Sequence, residues 1–145
     1  MADISSLGKY EIRREIGRGA MGVVYEGYDP FIKRVVALKT IRAEQLSGGA
    51  SENVIARFLR EAQAAVRLKS EHVARVIDVG SLESGAPYMV LEYLDRSDLS
   101  TYPRSQLSIG GIVDLVLQSC EALADAHALG NVPRDINPAN FITSR

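Results

Sequence analysis

Residues 17–29 read GRGAMGVVYEGYD, with Gly17, Gly19 and Gly22 in a G-x-G-x-x-G pattern. Glycines at this spacing let backbone N–H groups approach phosphate oxygens with no Cβ in the way. The segment after the glycines decides the fold. In a dinucleotide-binding βαβ unit a helix starts there, and an acidic residue comes about twenty positions on. Here the segment is VVYEGY, rich in β-branched and aromatic residues, which is a strand pattern. The glycines therefore join two antiparallel strands. Taken alone, an ordinary glycine-rich hairpin and a phosphate-covering loop both fit.

Working outward, YEIRREIG (10–17) and RVVALKTI (34–41) read as neighbouring strands, the second after the turn DPFIK (29–33). RAEQLSGGAS (42–51) reads as a loop broken by Gly48 and Gly49. ENVIARFLREAQAAVRL (52–68) reads as an amphipathic helix with Ser51 as its N-cap. Val54, Phe58 and Ala65 share one stripe, with Ile55, Leu59, Ala62 and Val66 beside it. VARVIDVGS (73–81) and PYMVLEYL (87–94) form a hairpin across LESGA. Five strands and one helix thus make an α+β unit ending near Tyr93. DRSDLSTYPRSQLS (95–108) is a polar linker with a short turn at Pro103. IGGIVDLVLQSCEALADAHALG (109–130) is a second helix stopped by Gly130, and FITS (141–144) is a short strand.

Lys39 ends the apolar run VVALK, and taken by itself it reads better as a solvent-facing residue than as a site. Glu61 sits three residues after Phe58 and four before Ala65, along the apolar stripe. A carboxylate there needs a partner, because burying a lone charge is costly. A Lys39–Glu61 ion pair satisfies both residues and aims an ammonium beneath the glycine loop. Near the end, NVPRDINPANF (131–141) sets Asp135 and Asn140 five residues apart around Pro138 and Ala139. That spacing suits a tight loop presenting an acid and a metal-binding amide to a phosphate. Other residues take plainer readings. Cys120 and His127, on one helix face with Ile112, Val116 and Leu123, read as packed positions. His72, Met21 and Met89 read as structural.

Composition narrows the classes. With 46% hydrophobic residues among 145, the chain can bury one modest core. Lys+Arg at 17 against Asp+Glu at 18 leaves no global charge to attract nucleic acid or an anionic membrane. One cysteine cannot form an internal disulfide, which fits a reducing compartment. The first residues lack a signal-peptide core, and no apolar run approaches transmembrane length. A cytoplasmic location is the expectation.

The stretches IGRGAMGVVY, VALK, FLREAQAAVRL, YMVLEYLDRSDL and RDINPAN, in that order, resemble the protein kinase family, specifically bacterial Ser/Thr kinases. The likeness runs from about Leu7 to Phe141. It implies a nucleotide-binding small lobe over 8–93, then over 94–145 the hinge exit and an incomplete helical lobe. It implies that Gly17, Gly19 and Gly22 cover ATP phosphates and that Val24 and Ala37 press on the adenine. Lys39, paired with Glu61, would reach the α- and β-phosphates. The backbone at Glu92 and Leu94 would meet the adenine edge beside Leu91, with Asp98 at the ribose. Asp135 would orient the substrate hydroxyl and accept its proton, and Asn140 would hold Mg2+.

The sequence also departs from the family. Pro133 stands where the family has histidine, and Asn137 where it has lysine. Proline lacks an N–H and restricts Val132 to extended conformations. Asn137 removes a positive charge near the phosphoryl group, and losing one such donor costs roughly 100- to 1000-fold in rate. No DFG segment occurs within the 145 residues. The expectation is a kinase domain fragment, weak or inactive in phosphotransfer alone, with an apolar face over 112–129 open to a partner. The rival reading is a non-catalytic, kinase-shaped module that binds nucleotide or protein.

Overall fold

The segments rich in β-branched and aromatic residues build one antiparallel sheet in the computed structural model, which describes residues 5–19, 22–47, 51–95, 98–133 and 136–143. Its strands are β1 (Ser6–Leu7), β2 (Tyr10–Arg18), β3 (Gly22–Asp29), β4 (Arg34–Ile41), β5 (Val76–Ser81) and β6 (Pro87–Glu92). They run in the order β1-β2-β3-β4-β6-β5. The five expected strands are present, with β1 added at one edge. Two residues are too short to show a periodicity, yet Leu7 of β1 is 1% exposed. The helices are α1 (Ala43–Leu46), α2 (Ser51–Arg67) and α3 (Ile109–Ala128). The expected loop over 42–51 therefore contains one helical turn, and Ser51 is the first residue of α2 rather than its cap.

The chain divides into two units, residues 1–66 with 75–93, and residues 67–74 with 94–145. In the first unit β4 sorts its side chains by parity. Val36 and Leu38 join Leu7, Tyr10, Tyr88 and Val90 in one buried cluster. Ile41 faces the other way and packs with Met89 against Phe58 and Ala62 of α2. The stripe on α2 is narrower than the sequence implied, since Leu59 and Val66 are exposed.

The β3–β4 turn is fixed by a carboxylate. Asp29, 1% exposed, accepts hydrogen bonds from the N–H groups of Phe31 (2.9 Å) and Ile32 (3.3 Å). Lys9 Nζ lies 2.9 Å from its Oδ2. The Lys9 contact, then the two backbone donors, hold the Asp29 carboxyl below the usual carboxylate range. A group with a depressed folded pKa stabilises the fold above its unfolded value and loses that contribution as pH falls through the folded one. Melting temperature is therefore expected to drop as the pH is lowered past about 3.8, the ordinary Asp value. Asp29→Asn should melt lower than wild type at pH 7 and show a shallower acid dependence. Identical melting curves for the two proteins at pH 7 would contradict this.

In the second unit Ser108 Oγ caps α3 by accepting from Gly111 N–H at 3.0 Å. The helix ends in a Schellman turn. Gly130, at φ +72°, donates to His127 O, and Asn131 donates to Ala126 O. Asp125 of α3 accepts from the N–H groups of Lys69 (2.9 Å) and Ser70 (3.0 Å), and Glu121 lies 2.9 Å from His72 Nε2. These contacts hold residues 67–74 on the helix and give His72 a structural partner. Cys120 and His127, expected to be packed, are exposed. The apolar face they share is open, with Ile112 47% and Val116 55% exposed. It borders a groove of about 740 Å³ that also involves Leu107, Ile136 and Phe141. The expected FITS strand reduces to a single bridge between Ile142 and Asp98. Among the described residues no helix is long and apolar enough to cross a membrane.

Candidate functional site

The first unit holds a row of cross-strand neighbours: Gly17 opposite Val24, and Val24 opposite Lys39. Cross-strand partners project from the same face, so Val24 and Lys39 lie side by side next to the glycine loop. Ala37, two residues before Lys39 and 8% exposed, is on that face opposite Leu91. Gly19 N–H donates to Gly22 O at 2.9 Å and closes the loop. Met21, expected to pack, lies outside the described residues.

The three glycines are not equivalent. A Cβ on Gly22 would lie 2.3 Å from the Thr40 carbonyl oxygen, so strand packing alone demands glycine there. Among the described residues, a Cβ on Gly17 meets only Val24 at 3.9 Å, and one on Gly19 meets nothing within 4 Å. Neither residue has a left-handed φ. The fold accounts for Gly22, while the described residues place no steric demand for glycine at Gly17 or Gly19. Gly22→Ala is expected to cost about 1–3 kcal/mol through backbone displacement. Gly19→Ala should change stability by no more than about 0.5 kcal/mol. Thermal melts of the two variants test the distinction, and equal melting temperatures would remove it.

Lys39 Nζ lies 3.5 Å from Glu61 Oε2, and Arg57 Nε lies 3.8 Å from Glu61 Oε1. The Lys39 and Glu61 side chains are 32% and 36% exposed. A pair this exposed contributes about 0.2–1 kcal/mol, so its value is in holding the ammonium in place. At the end of β6, Glu92 N–H donates to Arg75 O at 2.9 Å, and Glu92 Oε1 accepts from Arg75 N–H at 2.8 Å. Beyond it, Tyr93 joins Arg14 and Glu26 in a side-chain network. Sequence reasoning missed this network, because its members lie 67 and 79 residues from Tyr93 and no periodicity links them.

In the second unit, Leu94 is 37% exposed. Asp98 Oδ1 accepts from Ser100 N–H (2.9 Å), Thr101 N–H (3.2 Å) and the Ser100 hydroxyl. The Ser100 hydroxyl, followed by these backbone donors, pulls the Asp98 carboxyl below its usual range. Asp98 therefore fastens its own turn with one oxygen. Asp135 and Arg134 lie outside the described residues. Asn137 precedes a 3-10 turn, Pro138–Asn140, and its side chain accepts from Ala139 N–H at 3.0 Å. The asparagine that removes a lysine charge thus caps the turn carrying Asn140. Asn140 is exposed. Among the described residues no group of three or more His, Cys, Asp or Glu side chains could hold a metal ion.

The sequence matches the family profile described as "Protein kinase domain" over residues 10–145. It is 38% identical over 136 residues to the serine/threonine-protein kinase pkn3 of Myxococcus xanthus, covering 92% of this chain and 24% of that protein. It is also 38% identical over 143 residues to the serine/threonine-protein kinase PknE of Mycobacterium tuberculosis H37Rv, covering 97% of this chain and 24% of that protein. The chain thus spans about a quarter of these relatives' length. Among solved structures, the PknI kinase domain of M. tuberculosis superposes with a TM-score of 0.75 at 29% identity, over 98% of this chain and 57% of that one. The apo form of PpkA-294 shares the fold, with a TM-score of 0.80 at 22% identity over 94% of this chain and 55% of that one.

Proposed function

The chain belongs to the protein kinase domain family, and from that premise we propose that it binds ATP as part of a Ser/Thr protein kinase. The reaction is transfer of the ATP γ-phosphoryl group to a protein hydroxyl. The observation that carries this reading is the Gly17–Val24–Lys39 row, with Glu61 of α2 holding the ammonium at 3.5 Å. A bare loop beside a positioned cation suits a polyphosphate.

The roles divide by unit. In the first, the loop of Gly17, Gly19 and Gly22 covers the phosphates, and Lys39 neutralises the α- and β-oxygens. Val24 and Ala37 supply an apolar surface for the adenine, and the Glu92 backbone supplies its carbonyl to the edge, since its N–H is bonded to Arg75 O. In the second, the Leu94 backbone offers polar groups to a base. A ribose contact from Asp98 falls to Oδ2, because Oδ1 is committed to the turn. Asp135 orients the substrate hydroxyl and takes its proton as the new P–O bond forms and the bond to ADP breaks. Mg2+ takes oxygen ligands and keeps several waters, and the Asn140 amide oxygen would hold it together with phosphate oxygens. When bound, Mg2+ neutralises charge on the transferring phosphoryl group. The single cysteine and the use of ATP favour a cytoplasmic setting.

Calorimetric titration of the chain with ATP and Mg2+ tests the proposal. Saturable binding is expected, and a folded sample that gives no heat overturns it. The Asn137 cap favours a second reading, a nucleotide-binding module without catalysis, because it puts a neutral, turn-bound amide where the family has lysine. Transfer of labelled phosphate to a protein substrate by an ATP-binding sample would eliminate that reading.

A further inference from the structure

We propose that Arg14, Glu26 and Tyr93 form a clamp that positions the exit of β6 for recognition of the adenine base. The inference rests on the ATP-binding reading and adds three positioning residues to it.

The geometry is a closed triangle. Arg14 Nη2 lies 2.7 Å from Glu26 Oε2, the Tyr93 hydroxyl donates to the same oxygen at 3.1 Å, and Arg14 Nη2 donates to the Tyr93 hydroxyl at 3.1 Å. Arg13 Nη1 stands 3.9 Å from the other carboxylate oxygen. The Glu26 side chain is only 14% exposed. A carboxylate so withdrawn from water is costly unless its partners replace the lost hydration, and here three side chains do so.

The location gives the triangle its function. Arg14 pairs with Glu26, Glu26 with Ala37, and Ala37 with Leu91, in one cross-strand row. That row is two residues from the Val24–Lys39 pair on β3 and β4, so it presents the same face. Tyr93 follows Glu92, the last residue of β6. It is past the end of the strand, and its side chain reaches back to β2 and β3. Glu92 is tied on the other side by its carboxylate to Arg75 N–H. Glu92, which precedes Tyr93, is assigned to the adenine edge. Its backbone points usefully only if this short segment keeps one conformation, and the triangle ties it to the sheet.

Two single-atom changes test this without disturbing packing: Tyr93→Phe removes the hydroxyl, and Glu26→Gln removes the charge. Affinity for ATP and for inorganic tripolyphosphate, both with Mg2+, is measured by calorimetry for each protein, with melting temperature as the check on folding. Loss of one hydrogen bond in the network should weaken ATP binding about three- to tenfold. Tripolyphosphate, which lacks a base, should bind each variant within about twofold of wild type. Unchanged ATP affinity in both variants overturns the proposal. Equal weakening of both ligands also overturns it, because that is the signature of a general structural role. If wild-type protein binds neither ligand, the ATP-binding reading fails first and the clamp fails with it.

Discussion

Lys39→Ala is expected to weaken ATP–Mg2+ binding by about 10- to 100-fold while leaving the melting temperature nearly unchanged. A charge-assisted hydrogen bond contributes about 1.5–3 kcal/mol, and each 1.4 kcal/mol is a factor of ten in affinity. The stability term is small because Lys39 and Glu61 are each about one-third exposed and screened by solvent. Arg57 would remain beside Glu61, 3.8 Å away, so the carboxylate is not left alone. Calorimetric titration beside wild type measures the loss. Equal affinities would mean that the ammonium does not meet the phosphates. A collapse in melting temperature would mean that the pair is structural.

The second large effect concerns folding. Leu38→Ala should cost about 3–5 kcal/mol, in the range of fully buried leucines whose cavities relax poorly. Leu38 is 0% exposed and sits among Leu7, Tyr10, Val36, Tyr88 and Val90. Relaxation is restricted because its side chain fills the space above Gly27, where a Cβ would come within 2.5 Å of Leu38 Cδ1. Glycine has no side chain to move into the void. At about 2–4 °C per kcal/mol for a chain of this size, the melting temperature should fall by roughly 10 °C. A fall of less than about 2 °C would show that the core closes around the gap.

The sheet was legible because its strands are rich in β-branched and aromatic residues between Gly and Pro breaks, and because a strand, not a helix, comes after the glycines. The Lys39–Glu61 pair was legible because Glu61 sits on an apolar stripe where a lone carboxylate does not belong. Elsewhere the same logic misled. The apolar face of α3 looks like core at Cys120 and His127, but hydrophobic pattern reports the capacity to pack and not the presence of a cover. Turn α1 was hidden because its four residues, between Arg42 and Ser47, are shorter than one helical repeat pattern. The contacts of Arg14, Glu26 and Tyr93 could not be read from sequence, since each member reads as an ordinary surface residue in its own segment. The same holds for Asp125, which fastens a segment 55 and 56 residues earlier.

That last contact has a consequence for the order of events during synthesis. Lys69 and Ser70 leave the ribosome well before Asp125, whose carboxylate receives their N–H groups. The sheet, by contrast, has all its strands once Glu92 has emerged. The nascent chain can therefore close its sheet while residues 67–74 still wait for the helix that will hold them. Because synthesis runs from the N-terminus and folding can follow it, two units that are interleaved along the chain can form one after the other.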